Sequence, residues 1–576
     1  MDQHEKAPEA VFPQIFEYDA TPTQSTASPE PFHRAPSIDE PVYVEDRRER
    51  RGESLWRVLK ERHINMIAFS GTIGNGLFLG SGKSIASAGP GGAVLSYILV
   101  GTVISSVISC LGEMTALMPV NAPVMEFPRR YLDRGIGFAV GWMYWFAYAV
   151  LAADELVALS NTVAFKYDDG RTYLNWVVGS NTDAAVWIAL FLVIVVSINM
   201  LPVKYFGEFE YIFGSIKLTF ITMLIVLMVV LDTMNPRKDA YYDQPIRAKN
   251  WNSPYSFFNT NYNVKDENGN LQRTITGGVG SFLGVWTTFV NIMFAYIGMD
   301  IVVGTAAESR ALADAESMKM AARKINIRII TLYSLAVLAA SFVVPMDHPF
   351  INGQGQSVGS HSVFVIAVVE AGIPAAAHFF NAIFVFSSFT CAINRFMGRT
   401  GAPGERLSEL ASNCTVSCLI VYVVICATYL CFFKTLEDAK LYGNASEAQL
   451  ACYDRNHPRY PYKSHGQWLK ACYGMVSCFL LVIFNGIGAF LERPFDTRRF
   501  ISSYISVPVF ILLLVGYKIR KHGFNFKNWG PERSNDLRNC IQVASETRKG
   551  RLEFPDEGFT KENGRTFLNW IVVWTK

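Results

Sequence analysis

A chain of 576 residues with a formal net charge of +3, half of it hydrophobic and only 18% charged, has a mean hydropathy of +0.20. Soluble domains carry about 25% charged residues, so an ordinary soluble protein is excluded, and a small charge spread over loops gives no footprint for nucleic acid. No P-loop, zinc-ligand spacing, nucleotide-binding βαβ unit or ordered Ser-His-Asp set occurs, so enzymatic chemistry is not expected and no cofactor is implied.

Residues 1–55 are polar, contain Pro and Ser, and end in Arg47-Arg48-Glu49-Arg50-Arg51. No short cleavable signal peptide opens the chain, and this composition predicts a disordered cytoplasmic tail, its charge run being otherwise simply solvated. A transmembrane domain is predicted over 56–520 and a cytoplasmic C-terminal tail over 521–576. Runs long enough to cross about 30 Å of hydrocarbon give eleven spans, near 64–88, 91–118, 137–160, 185–201, 209–231, 279–303, 326–345, 376–394, 414–433, 472–490 and 500–518.

The first span is interrupted by Gly71-Thr72-Ile73-Gly74-Asn75-Gly76. Glycine costs about 1 kcal/mol against alanine in a helix interior, so three in six residues predict unwound backbone inside the membrane. Lipid cannot hydrogen-bond such backbone, which survives only where it is buried in protein or lines a cavity, as at the binding sites of secondary transporters. The alternative is that Gly71, Gly74 and Gly76 only let two helices approach closely.

Arg129, Arg130 and Arg134 follow the second span, and Arg310, Lys319, Arg323, Lys324 and Arg328 follow the sixth, so both exit to the cytoplasm, and the loop 232–278 is extracellular. Three ionisable residues inside spans stand out. Glu155 lies in the third, as a candidate for a substrate ammonium, a proton relay or a structural hydrogen bond to a neighbouring helix. Lys217 lies in the fifth, about two turns beyond Glu210 and too deep to snorkel without strain, and a lysine held out of water can gain and lose a proton near physiological pH. Asp300 lies in the sixth, where a carboxylate faces a partner or a water-filled path. The ten cysteines, among them Cys110, Cys391, Cys418, Cys426 and Cys478, show no metal spacing and read as packing residues.

Arg62-His63-Ile64-Asn65-Met66-Ile67-Ala68 running into the glycine break, then the Gly80–Gly91 stretch, Leu111-Gly112-Glu113-Met114, Gly137 through Trp145, Asp154-Glu155-Leu156-Val157 and Phe206-Gly207-Glu208-Phe209-Glu210 follow one another in a fixed order. From about residue 53 to 520 the chain resembles the fungal amino acid permease family of the amino acid-polyamine-organocation superfamily. The resemblance implies an all-α multi-pass membrane protein with an inverted-repeat transporter fold, its first and sixth helices broken. It also implies a plasma-membrane importer of amino acids driven by proton symport, with amino acid, protons and membrane lipid as its partners.

Under that reading, N–H groups near Asn75, Gly76 and Leu77 face a substrate carboxylate, and the family more often has Thr where Asn75 stands. Ala295 to Gly298, with Tyr296 between them, would present carbonyl oxygens to the substrate ammonium. Phe294 would be an aromatic lid, with apolar packing as the alternative. Lys217 takes the place that sodium fills in sodium-coupled relatives. Glu is usual where Asp300 stands, so the charge is kept and its reach shortened. Thus the substrate-binding set is Gly71, Thr72, Ile73, Gly74, Asn75, Gly76, Phe294, Ala295, Tyr296 and Gly298, and the coupling or gating set is Glu155, Lys217 and Asp300.

One feature departs from the family. Its members have twelve spans, yet within 325–412 the chain leaves only residues 395–412 between the eighth span and the run matching the family's tenth, too few for a further span of about 20 residues. The family's ninth span is missing. This leaves three alternatives, a reversed insertion of 413–433, a strained re-entrant turn, or a shortened product retained in the endoplasmic reticulum, and with them an amino acid-binding sensor or a transport-inactive permease. The sequon Asn444-Ala445-Ser446 would be glycosylated only if the preceding helix were reversed.

Overall fold

In the computed structural model the described residues are 61–533, except 119, 121, 266–270, 302, 304–324, 355–356, 396–406, 443–453, 458–459, 461, 465 and 494. Of the predicted features, both tails up to residue 60 and beyond 533, Arg310, Lys319, Arg323, Lys324 and Asn444 lie outside them.

Helix breakers divide the first predicted span into α1 (Glu61–Thr72), α2 (Asn75–Phe78) and α3 (Gly80–Ala88). Gly89 at φ +80° then turns the chain into α4 (Pro90–Leu117), whose first residue is a proline that has no N–H to leave unpaired. After α5 (Pro123–Tyr131), Asp133 caps α6 (Arg134–Val163) by accepting from the Gly135 N–H at 2.6 Å. Then come α7 (Ala184–Asn199), α8 (Val203–Thr233) and α9 (Gly277–Tyr296). They are followed by α10 (Ile325–Val343), a short buried α11 (Val363–Glu370) and α12 (Pro374–Arg395). The last are α13 (Leu407–Tyr442), α14 (Gln467–Phe484), and α15 (Thr497–Tyr504) with α16 (Ser506–His522).

Among the described residues eight helices are long and apolar enough to span a bilayer unaided, and α15 with α16, bent by 44°, makes a ninth. The 16-residue α7 and the broken α1–α3 account for the remaining two predicted spans. The fold is an all-α multi-pass membrane protein. Two small antiparallel hairpins stand outside the bundle, β1 (Lys166–Asp168) with β2 (Tyr173–Asn175) and β3 (Asn261–Lys265) with β4 (Leu271–Thr276). Helix α13 runs well past the predicted 433, because Glu437, Ala439 and Lys440 favour helix but lie beyond the apolar stretch that hydropathy detects.

Side-chain contacts give the direction of each helix. Asn381, early in α12, donates to Thr162 O at the end of α6, and Ile393 O, late in α12, accepts from Asn199 at the end of α7. Phe432, late in α13, packs on Tyr131 just before α6 begins, with ring centroids 5.3 Å apart. Both α12 and α13 therefore run antiparallel to α6 and parallel to each other, ending at the face that carries Arg129, Arg130 and Arg134. By the positive-inside rule that face is cytoplasmic. Reversed insertion of 413–433 is not what the contacts describe.

The same face holds a buried cluster around Glu113 of α4. Its carboxylate accepts from Arg455 Nε at 2.7 Å, Tyr429 at 2.7 Å, the Ser464 N–H at 2.9 Å and Tyr460 at 3.1 Å. This ties the segment after α13 to the inner end of the second span. Removing one partner of such a buried pair leaves an uncompensated charge, at a cost of about 3–5 kcal/mol.

Candidate functional site: two helix breaks in contact

The first break leaves the last three carbonyls of α1 to find partners outside the helix. Phe69 O accepts from the Ile73 N–H at 3.0 Å. Ser70 O accepts from the Lys217 ammonium at 2.6 Å, Gly71 O from the Cys391 thiol at 3.2 Å, and Thr72 O from the Tyr333 hydroxyl at 2.9 Å. Ile73 O, in the break itself, takes two donors, Lys217 at 2.8 Å and Ser387 at 3.0 Å. Three other helices, α8, α10 and α12, thus supply the side chains that close the carbonyl end. Lys217 is fully buried and does not reach the cytoplasmic surface.

The N–H end of the break is different. Leu77 N–H returns to Gly74 O at a long 3.3 Å. The Asn75 side chain lies outside the described residues. A methyl group added to Gly74 would stand 2.9 Å from both Glu155 Oε1 and Cys391 Sγ, so the buried Glu155 carboxylate lies against this end. The Thr72 hydroxyl is buried and has no hydrogen-bond partner among the described residues.

The second break begins after Tyr296 and turns through Ile297 to Asp300, about two residues later than the predicted carbonyl set, with Gly298 at φ +109° where a side chain would be strained. Its carbonyls are held loosely. The Ile297 N–H is shared between Met293 O at 3.2 Å and Phe294 O at 3.3 Å, Met299 N–H meets Tyr296 O at 3.4 Å, and Tyr333 O–H meets Ala295 O at 3.4 Å. Phe294 is half-buried at this end. Tyr296 turns its side chain into the core, where its ring packs on Tyr97 and Tyr333 and its hydroxyl donates to Tyr97 O at 3.1 Å, so only its backbone belongs to the break.

The two breaks touch. A Cβ on Gly76 would stand 2.7 Å from both Cα and Cβ of Ala295, and the Tyr333 hydroxyl spans the pair through Thr72 O and Ala295 O. Asp300 completes the site from the far side. Its carboxylate is buried and accepts from Tyr144 at 2.8 Å, Tyr148 at 2.8 Å, Tyr422 at 3.2 Å and the Gly298 N–H at 3.3 Å.

Sequence reading missed Tyr333, Ser387, Cys391 as a donor, and the three tyrosines around Asp300. For Tyr144 and Tyr148 a signal existed, since their i,i+4 spacing puts both hydroxyls on one face of α6. The others come from distant helices, and nothing local to them announces a partner.

Two discontinuous helices of opposite direction, crossing at their breaks within a membrane bundle, are the layout of a secondary transporter. The chain belongs to the amino acid permease family, whose model matches residues 63–397 and 409–529. The interruption of that match, at residues 398–408, falls at the junction where the sequence leads one to expect a further span. A dicarboxylic amino acid permease of Saccharomyces cerevisiae is 27% identical over 500 residues, covering 81% of this chain and 77% of that one. The lysine-specific permease of Escherichia coli is 28% identical over 500 residues, 81% of this chain and 94% of that one. A proline-specific permease of Saccharomyces cerevisiae is 27% identical over 546 residues, 87% of this chain and 81% of that one. These relatives are named as permeases rather than as enzymes.

Proposed function

We propose that the protein imports amino acids across the plasma membrane by proton symport, with alternating access around the two breaks. The observation that carries this reading is their complementary polarity. At the first break the carbonyls are taken by neighbouring donors, and the N–H groups of residues 74–76 stand at a helix start, which suits a carboxylate. At the second the carbonyls are held only at 3.2–3.4 Å, which suits an ammonium. A zwitterionic amino acid matches both ends at once, with Glu155 beside the first and Phe294 beside the second.

Coupling is assigned to Lys217. Protonated, it holds Ser70 O and Ile73 O and fixes α1 to α8; neutral, it keeps fewer donors and a weaker pull on two carbonyls. Asp300, gathered by three tyrosines from α6 and α13, couples the second break to the helices against which it must move. The test is uptake of a panel of radiolabelled amino acids in cells lacking their own permeases. Saturable uptake that collapses with the proton gradient and is lost in Lys217→Ala supports symport, and undiminished uptake in Lys217→Ala removes that residue from the mechanism.

A second reading rests on the parallel course of α12 and α13, which departs from the family's twelve-span plan. Under it the chain binds amino acids without carrying them. Binding measured on the purified protein, with no uptake in cells and a surface-exposed pool, would select it; a pool confined to the endoplasmic reticulum would instead mark a retained product.

A further inference from the structure

A groove of about 470 Å³ opens on the outer surface of the bundle where the first turns of α6 meet the second half of α16. Its wall is Phe138, Leu512, Leu513, Gly516 and Tyr517, with the rings of Phe138 and Tyr517 5.3 Å apart, and Arg520 and Lys521 stand at one end. That end is cytoplasmic. One turn away the buried Lys518 donates to Asp133 at 2.6 Å, just ahead of Arg134. The groove is therefore an apolar slot at acyl-chain depth with two cations at headgroup depth.

The cations are already treated as an anion site by the protein itself. Lys521 and His522 both hold the carboxylate of Glu532, which the segment after α16 brings back to this corner; its N–H also bonds Asp133 at 2.9 Å. The hydrogen bond from Lys521, with His522 and Lys518 adding to it, pulls the Glu532 carboxyl down to about 2. Arg520 is exposed and has no carboxylate partner among the described residues. A lone surface carboxylate on one of two adjacent cations leaves room for a second anionic group.

We propose that this groove binds one anionic phospholipid of the inner leaflet, its acyl chain along Phe138, Leu512, Leu513, Gly516 and Tyr517 and its phosphate on Arg520 and Lys521, in exchange with the Glu532 carboxylate. Basic pockets between helices on the cytoplasmic side suit such headgroups, and the apolar wall excludes free phosphate as the natural occupant.

The full chain, reconstituted in nanodiscs of equimolar phosphatidylcholine and phosphatidylserine and re-extracted in detergent, is assayed for retained lipid by mass spectrometry. Wild type is expected to retain phosphatidylserine over phosphatidylcholine, and Arg520→Gln and Lys521→Gln each to lower that preference about fivefold. Gly516→Phe fills the slot from a position whose Cβ meets nothing within 4 Å, and is expected to lose the lipid with both cations intact. Glu532→Gln, which removes the charge that competes for Lys521, is expected to raise retention. Equal retention of the two lipids by wild type, retention by Gly516→Phe equal to wild type, or an unchanged Glu532→Gln overturns the assignment.

Discussion

The first break and the second solve one problem in opposite ways. Both leave carbonyls without helical partners. At the first, five donor contacts from α8, α10 and α12 close them at 2.6–3.2 Å, and the charged group among them, Lys217, comes from a different helix. At the second, the chain's own turn closes most of them at 3.2–3.4 Å, with Tyr333 of α10 reaching only Ala295 O at 3.4 Å, and the charged group, Asp300, is supplied by the broken segment while hydroxyls gather round it. The first break is clamped by its neighbours, and the second clamps itself and holds its neighbours by one carboxylate. Under the proposed alternating access, the first break would serve as the fixed reference and the second as the moving part.

The sharpest way to break this comparison is Lys217→Met, which keeps the stem and removes the ammonium. Leaving buried carbonyls unpaired costs about 1–3 kcal/mol each, and uptake is expected to fall to background with a lowered melting temperature in detergent. If uptake falls while melting is unchanged, the clamp is not structural. Next in size is Gly76→Ala, whose methyl meets Ala295 backbone at 2.7 Å and is expected to cost about 1–3 kcal/mol through separation of the breaks. Pairing it with Ala295→Gly should restore only the part owed to the Ala295 methyl.

Asp300→Asn is predicted to be milder for stability, since an amide oxygen still accepts from a tyrosine, but to change the pH profile of uptake. A profile identical to wild type would make Asp300 a structural anchor alone. Smallest are Tyr144→Phe and Tyr148→Phe, each removing one hydroxyl from the carboxylate for about 1 kcal/mol, and Tyr422→Phe, whose contact is longer at 3.2 Å, should cost least. The test is a set of melting temperatures read beside initial uptake rates.

Much of this asymmetry was legible before any coordinates. Three glycines in six residues announced the first break, and a lysine two turns from Glu210 had to be buried, because periodicity and hydropathy are local properties of the chain. The partners of those groups were not local. Tyr333 is 261 residues from Thr72 and Cys391 is 320 from Gly71, so only the packed bundle brings them together. Tyr296 shows the same limit for a side chain. Its position in the motif placed it at the break, yet an i+1 neighbour of Ala295 on a helix points elsewhere, and its ring went to the core.

The parallel course of α12 and α13 has a consequence in parity. The start of α1 lies beside the start of α8, where His63 meets Glu208 at 3.1 Å, and the end of α16 lies beside Asp133, so both ends of the bundle open on one face. A path that begins and ends on the same side of a sheet crosses it an even number of times, and eleven is odd. One crossing is therefore unaccounted for between the end of α12 and the start of α13. A transcript read across the codons for Asn394 to Asn413 is therefore expected to contain an added apolar stretch of about 20 residues, restoring the even count.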